Sequence, residues 1–277
     1  MLRSVKSALP ARTECAMSEA NGFRAALDAL TQQAGETGSA YVVLSGTSES
    51  KPVQNFFRTD GLTALPLFMG TSYAGWHDVM PFLAQINTTS AFIDWIEESH
   101  SQDWGWGLIS RAPFDDVFGH IRSLTKITLA DGHEVFFRYW AARFFGQILH
   151  SVDEAGRANL MGPIEAIVLP SGETIYHPGG PEAASPVPSF PWFSLPSEVQ
   201  KRVAALCWDQ LVGNTMAVLA KTRPSPLSRY PEPIARRKVE RHVRRLCQSN
   251  VPTELEPSQL QSIHQALTQE TSMGSRR

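Results

Sequence analysis

The sequence predicts an α/β (α+β) N-terminal lobe with a mixed sheet, followed by a small all-α C-terminal lobe. Three observations carry this. Short β-rich apolar runs alternate with stretches of helical periodicity up to about residue 177. An Asp-Gly pair, Asp131-Gly132, sits between two β-rich runs. A segment rich in Pro, Gly, Ser and Ala at 178–193 then gives way to a purely helical pattern. The expected organisation is a loose tail over 1–20, an α/β lobe over 21–177, a Pro-rich linker over 178–193 and helices over 194–277.

Element by element, Asn21 to Ala34 predicts a helix with Phe23, Ala26, Leu27 and Leu30 on one side and Gly35 as its stop. Tyr41-Val42-Val43-Leu44 predicts a buried strand, Leu65 to Met69 a second with Pro66 at its start or edge, and Met80 to Ile86 a third. Thr89 or Ser90 can cap a helix carrying Phe92, Trp95 and Ile96. Trp104 to Ser110 predicts a strand whose glycines, Gly105 and Gly107, permit close backbone approach. Pro113 suits the first turn of a helix that buries Phe114, Val117, Phe118, Ile121 and Leu124, with Asp115 and Asp116 at its positive end.

Lys126–Leu129 and Glu134–Trp140 flank Asp131-Gly132 and predict a tight hairpin. Ala141 to His150 predicts a helix, Gly162-Pro163 a break, and Ile164–Leu169 with Thr174–Tyr176 two strands turning at Ser171-Gly172. Ser194 or Ser197 caps the next helix, which carries Val199, Val203, Leu206, Leu211 and Leu219. Two more helices cover about 233–248 and 257–269.

Composition excludes several classes. Of 277 residues, 42% are hydrophobic and 19% charged, enough apolar material for a core. A net charge of −2 means that binding to a polyanion would need a local patch. Cys15, Cys207 and Cys247 form no CxxC pair, which points to a reducing compartment with structural thiols. No run approaches a membrane span, and the basic start at Met1 lacks the apolar stretch of a secretion signal; Met17 is an alternative start.

Catalytic motifs are missing. The eight histidines show no HxxxH or HExxH spacing, and no GxSxG, GxGxxG or GxxxxGK[ST] occurs. Asp115-Asp116 and Glu97-Glu98 are adjacent, so on a helix each pair diverges. His120, beside Phe118 and Ile121, is expected to be a buried, hydrogen-bonded structural residue.

Two clusters stand out. Arg236, Arg237, Lys238, Arg241, His242, Arg244 and Arg245 crowd one helix, with Arg237, Arg241, Arg244 and Arg245 on a shared face. That face suits an acidic or phosphate-bearing partner, or is a solvated surface. Trp104, Trp106, Phe136, Phe137, Tyr139, Trp140, Phe144 and Phe145 form an aromatic group. Strand alternation would put Phe136 with Arg138 and Phe137 with Tyr139 on opposite faces, and Arg138 then requires a partner.

An ordered series of short motifs runs outward from the hairpin: Tyr41 to Ser45, Pro66-Leu67-Phe68-Met69-Gly70, Trp106-Gly107, His120-Ile121-Arg122, Asp131-Gly132, Phe137-Arg138-Tyr139-Trp140 and Gly162-Pro163. In order and spacing this series resembles the bacterial family called domain of unknown function 4123, whose members look like type VI secretion effector adaptors, or effector chaperones. One departure is clear. Where the family has Asp-Pro-Arg, this chain has Ala141-Ala142-Arg143. If that aspartate pairs with an arginine in the family, Arg138 or Arg143 needs another partner here or meets cargo.

The resemblance implies a cytoplasmic adaptor that binds a toxin effector in the producing cell and passes it to a VgrG or PAAR spike protein. It implies no catalysis and no cofactor. The residues expected to bind protein are Trp106, His120, Arg122, Arg138, Trp140, Arg143, Arg237, Arg241 and Arg245, with the α/β lobe as the main cargo surface. The alternatives are a hydrolase with an unfamiliar site, which would show converging polar groups, and a nucleic-acid-binding module built on Arg236–Arg245.

Overall fold

A computed structural model describes residues 22–60, 63–181, 188–222, 225–246, 255 and 257–274. The expected tail over 1–20, Cys15 and Cys247 lie outside the described residues, as does the side chain of Cys207. The chain divides into two compact units. One is drawn from Met1–Arg122, Trp140–Arg143 and Met161–Pro186, the other from Ser123–Tyr139, Phe144–Leu160 and Val187–Arg277. The hairpin expected in the N-terminal lobe therefore groups with the C-terminal helices.

In the first unit, α1 (Phe23–Ala34), β1 (Ser39–Leu44), α2 (Pro52–Thr59), β2 (Ala64–Pro66), β3 (Phe82–Ile86), α3 (Ala91–Ser99), β4 (Gly105–Ser110) and α4 (Phe114–Ser123) follow in order. The six-stranded sheet has the order β2-β3-β1-β4-β7-β8, where β7 is Ala166–Val168 and β8 is Thr174–Tyr176. Every pairing is antiparallel, in place of the mixed sheet expected. The reason is topological. Helix α3 joins β3 to β4, which run in the same direction, but β1 lies between them, so the parallel strands are never neighbours.

β1 is buried on both faces, as its continuous run Tyr41 to Leu44 demands. Ala40, Val42 and Leu44 share a core with Phe23, Leu27 and Leu30 of α1, Phe56 of α2, and Phe92, Ile93 and Ile96 of α3. Helix α3 starts as expected: the Ser90 hydroxyl accepts from Phe92 N at 3.2 Å. Asp60 adds a second acceptor to the same N–H and a hydrogen bond to the Ser90 hydroxyl. The short helix α2, which opens on Pro52 and packs Val53 and Phe56 inward, was not expected. The strand expected over Leu65–Met69 stops at Pro66, because from Leu67 the chain winds through successive turns.

In the second unit, β5 (Lys126–Thr128) and β6 (Glu134–Phe136) form the predicted hairpin. Leu129 N donates to His133 O at 2.8 Å, and Gly132 takes φ +86°. β6 is shorter than expected, so the alternation argued for Glu134–Trp140 does not extend to Arg138 or Tyr139. Helices α5 (Ala142–Ser151) and α6 (Glu154–Met161) follow, except that Ala142, Arg143 and Met161 group with the first unit. Residues 182–187 of the expected linker lie outside the described residues. Its end is docked: Trp192 Nε1 donates to Ser123 O at 3.1 Å, and Phe193 O accepts from Thr128 N at 2.9 Å.

Helix α7 (Ser197–Lys221) begins after Pro196 without a side-chain cap, so neither Ser194 nor Ser197 caps it. With α8 (Glu232–Leu246) and α9 (Pro257–Gly274) it buries Leu211, Val212 and Leu219 against Ala235, Val239, Val243, Ile263 and Leu267. No described helix is long and apolar enough to cross a membrane.

The β1–β4 pair sets a sharp demand on sequence. Leu44 pairs with Gly105, which takes φ +138°, and a Cβ there would stand 1.8 Å from Val43 O. At Gly107 a Cβ would meet the Phe23 ring at 2.8 Å. Gly105→Ala is expected to cost at least about 3 kcal/mol by urea denaturation, through clash and strain together. Gly132→Ala has positive φ but open space, and should cost about 1–2 kcal/mol. Equal costs would refute the close-approach argument.

Candidate functional site

The aromatic group around the hairpin is core. Phe137, Tyr139 and Phe145 are buried in the second unit, with ring centroids 6.2 Å (Phe137–Tyr139) and 5.9 Å (Phe137–Phe145) apart. Burial pushes the Tyr139 phenol far above its ordinary value, although a hydrogen bond with Thr125 acts the other way, so it stays neutral. Trp140 is buried in the first unit, its Nε1 donating to Thr47 Oγ1 at 3.2 Å and its ring 6.0 Å from Phe68. Trp106 is 0% exposed. As buried side chains, Trp106 and Trp140 offer no surface to a partner, which corrects their expected role.

His120 is also buried, as its apolar neighbours imply. A Cβ on Gly162, which has φ +53°, would lie 2.3 Å from His120 Cε1. The Gly162-Pro163 pair thus leaves room for the imidazole, which packs against it. Arg122 is half-buried. Its guanidinium lies 5.2 Å from the Phe118 ring centroid and donates to Met69 O at 3.4 Å. Arg138 is half-buried and has a partner. Arg143 is exposed.

The surface that sequence reasoning missed lies around β2. Phe57, Leu65, Met69, Trp76 and Val79 are large exposed apolar residues within a short stretch of chain. Met69 is 52% exposed and Trp76 47%. Phe57 lies on α2 and Leu65 on β2, while Met69, Trp76 and Val79 are held out by a wound loop. Leu67 N donates to Pro81 O at 2.9 Å, and bonds from Met69 to Pro66, Thr71 to Phe68, Ala74 to Thr71 and Trp76 to Tyr73 follow in succession. Leu67, Phe68 and Met80 anchor the loop in the core, and Tyr73 packs at 5.4 Å from Trp76. The only sequence signal was Gly70-Thr71-Ser72 among large apolar residues, a turn cue without periodicity.

Helix α8 presents the second surface. Ala235, Val239 and Val243 are buried, and Arg237, Arg241, Arg244 and Arg245 are exposed on the opposite side. Much of the remaining charge is matched. Arg236 pairs with Asp209 at 3.0 Å and Glu240 at 3.1 Å. Glu270 of α9 takes Lys238 at 2.5 Å, His242 at 3.2 Å, and Arg241. The Arg244 guanidinium rests 5.4 Å from the Trp208 ring centroid.

A third feature is an open concavity of about 570 Å³ in the first unit. Arg111 and Glu165 on its wall pair at 2.5 Å, and Arg111 also donates to Thr37 Oγ1 at 3.1 Å. The charges are spent on each other and tie the turn at Gly35–Thr37 to the ends of β4 and β7. Among the described residues no group of three His, Cys, Asp or Glu side chains is placed to hold a metal ion.

Two outcomes follow. Burial alone would raise Glu270, but the hydrogen bond and charge of Lys238, with Arg241 and His242, hold its carboxyl below the ordinary value. A lowered carboxylate contributes stability that is present above its unfolded value and is lost as pH falls through the folded one. Acid titration of stability should show this loss below the ordinary glutamate range, and Glu270→Gln should remove that component of the slope; an unchanged slope would contradict it. Residue 141 immediately precedes the first residue of α5, at the N-cap. An Asp-Pro pair at 141–142 would read as a cap followed by a first-turn proline. Ala141→Asp should add about 1 kcal/mol to stability in denaturant titration, and a loss would point to another role.

No curated protein and no solved structure matches this chain. Residues 40–159, from β1 into α6 and including the exposed loop, match a family model described as domain of unknown function (DUF4123).

Proposed function

We propose that the chain is a type VI secretion effector adaptor, which binds a toxin effector in the producing cell and delivers it to a VgrG or PAAR spike protein. The family match over 40–159 supports the secretion link, together with the ordered motifs that resemble the same family. The observation that carries the binding part is the exposed Met69, Trp76 and Val79 loop inside that matched span. Aromatic and Met side chains are enriched in the desolvated centres of protein interfaces. A rigid loop that already holds them outward binds with little ordering cost. Binding without turnover is part of the proposal, as is a location in the cytoplasm of the producing cell.

Co-expression with a candidate toxin chosen from the proteins encoded beside it, followed by affinity capture and size-exclusion chromatography, tests the reading. A defined complex is expected. Truncating an interface anchor costs about 2 kcal/mol, or roughly thirtyfold in Kd, and Met69→Ser with Trp76→Ser should lose at least that much. Val218→Ser, which removes an exposed apolar group from α7 outside the matched span, should change nothing. No complex with any such candidate, or catalysis of a chemical step by the purified chain, would overturn the proposal.

A further inference from the structure

We infer that the arginine face of α8 is a docking surface for an acidic, carboxylate-bearing polypeptide segment. The inference rests on the helix alone and stands whether or not the adaptor reading holds. Arg237, Arg241 and Arg245 recur at i, i+4 and i+8, with Arg244 beside them. At 1.5 Å rise per residue the spacing is about 6 Å per step, so the row extends about 12 Å along the axis. It lies opposite the buried Ala235, Val239 and Val243, so packing against α7 and α9 aims it away from the core.

These side chains enclose a shallow concavity of about 370 Å³ with Glu240 on its wall. The flanks of the helix are neutralised; in the arginine row itself Arg241 pairs with Glu270, and among the described residues its neighbours Arg237, Arg244 and Arg245 carry no ion pair. Asp209 and Glu240 take Arg236 on one flank, and Glu270 takes Lys238 and His242 on the other. Arg237 donates to Pro233 O in its own helix. Arg244 is steadied by Trp208, which lowers the entropy lost when it binds.

The occupant is identified by complementarity. A guanidinium fork matches a carboxylate with two parallel hydrogen bonds. Carboxylates one turn apart on a partner helix repeat at the same pitch as the arginines. A nucleic acid is the poorer fit. A chain of net charge −2 supplies no wider positive field to hold a long line of phosphates, whereas a short acidic segment needs only the arginine row itself.

Fluorescence anisotropy on the full chain tests this. The probe is a short, labelled, alanine-based helical peptide with Glu at every fourth position. Glutamine in place of Glu gives the neutral control, and single-stranded oligothymidine and phosphatidylserine vesicles are the phosphate-bearing arms. The Glu peptide is expected to bind and to weaken as NaCl rises, with the Gln peptide at least tenfold weaker. Arg237→Glu with Arg245→Glu should reduce binding at least tenfold, while Arg229→Glu, exposed outside α8, should leave it unchanged. Circular dichroism reports whether each variant keeps its helices. Arg237→Lys with Arg245→Lys separates fork from point charge: partial loss supports the inference. Equal affinity for Glu and Gln peptides, no binding of the Glu peptide, or tighter binding of oligothymidine or vesicles through the same arginines would overturn it.

Discussion

The pairing of β1 with β4 is the constraint on which the first unit depends. β1 sits in the interior of the sheet, hydrogen-bonded to β3 on one edge and β4 on the other, and is buried on both faces. Such a strand gives up all contact with water, so its backbone must be matched along its length. That demand places Gly105 and Gly107 in β4. The first lets the backbone pass Val43 O, and the second leaves space for the Phe23 ring. The Trp-Gly strand motif is therefore a packing motif. Trp106 stands opposite Val43, fully buried, and reports the fold and not the partner.

What the sequence made legible follows the same division. Where burial imposes a period or a turn imposes a φ, the expectation and the structure agree: the buried face of α1, the Ser90 cap, the Asp131-Gly132 hairpin and the Ser171-Gly172 turn. The composition of Pro113 and the apolar spacing after it likewise announce α4. Topology was not legible, because hydrophobic runs identify a buried strand but not its neighbour. The insertion of β1 between β3 and β4 has no local signature.

The candidate surface was the least legible part, for a physical reason. Aromatic residues attract attention as binding anchors, but most of them reduce free energy by leaving water within the fold. Phe137, Tyr139, Trp140 and Phe145 do so. Phe57, Leu65, Met69, Trp76 and Val79 are chemically similar and exposed, and for Met69, Trp76 and Val79 it is their setting in successive turns that distinguishes them. The arginines divide in the same manner. Seven basic residues crowd α8, and the sequence alone cannot assign Glu270 to Lys238, Arg241 and His242, since those contacts join separate helices.

The two exposed surfaces differ in how they would hold a partner. The loop around Trp76 offers apolar area on a backbone fixed by turn hydrogen bonds and by Arg122 at Met69 O, so its contribution depends little on salt. The α8 face offers charge in water, where affinity is modest and falls as ionic strength rises. Apolar contact governs how long a complex lasts, and exposed charge governs mainly how fast it forms and with whom. A protein that must take up a partner and later release it benefits from limiting the first and retaining the second. The small number of exposed apolar residues around β2 and the partial neutralisation of α8 by Asp209, Glu240 and Glu270 fit that requirement. A larger apolar surface would bind longer at the expense of release, and a fully unmatched α8 would attract polyanions of every kind.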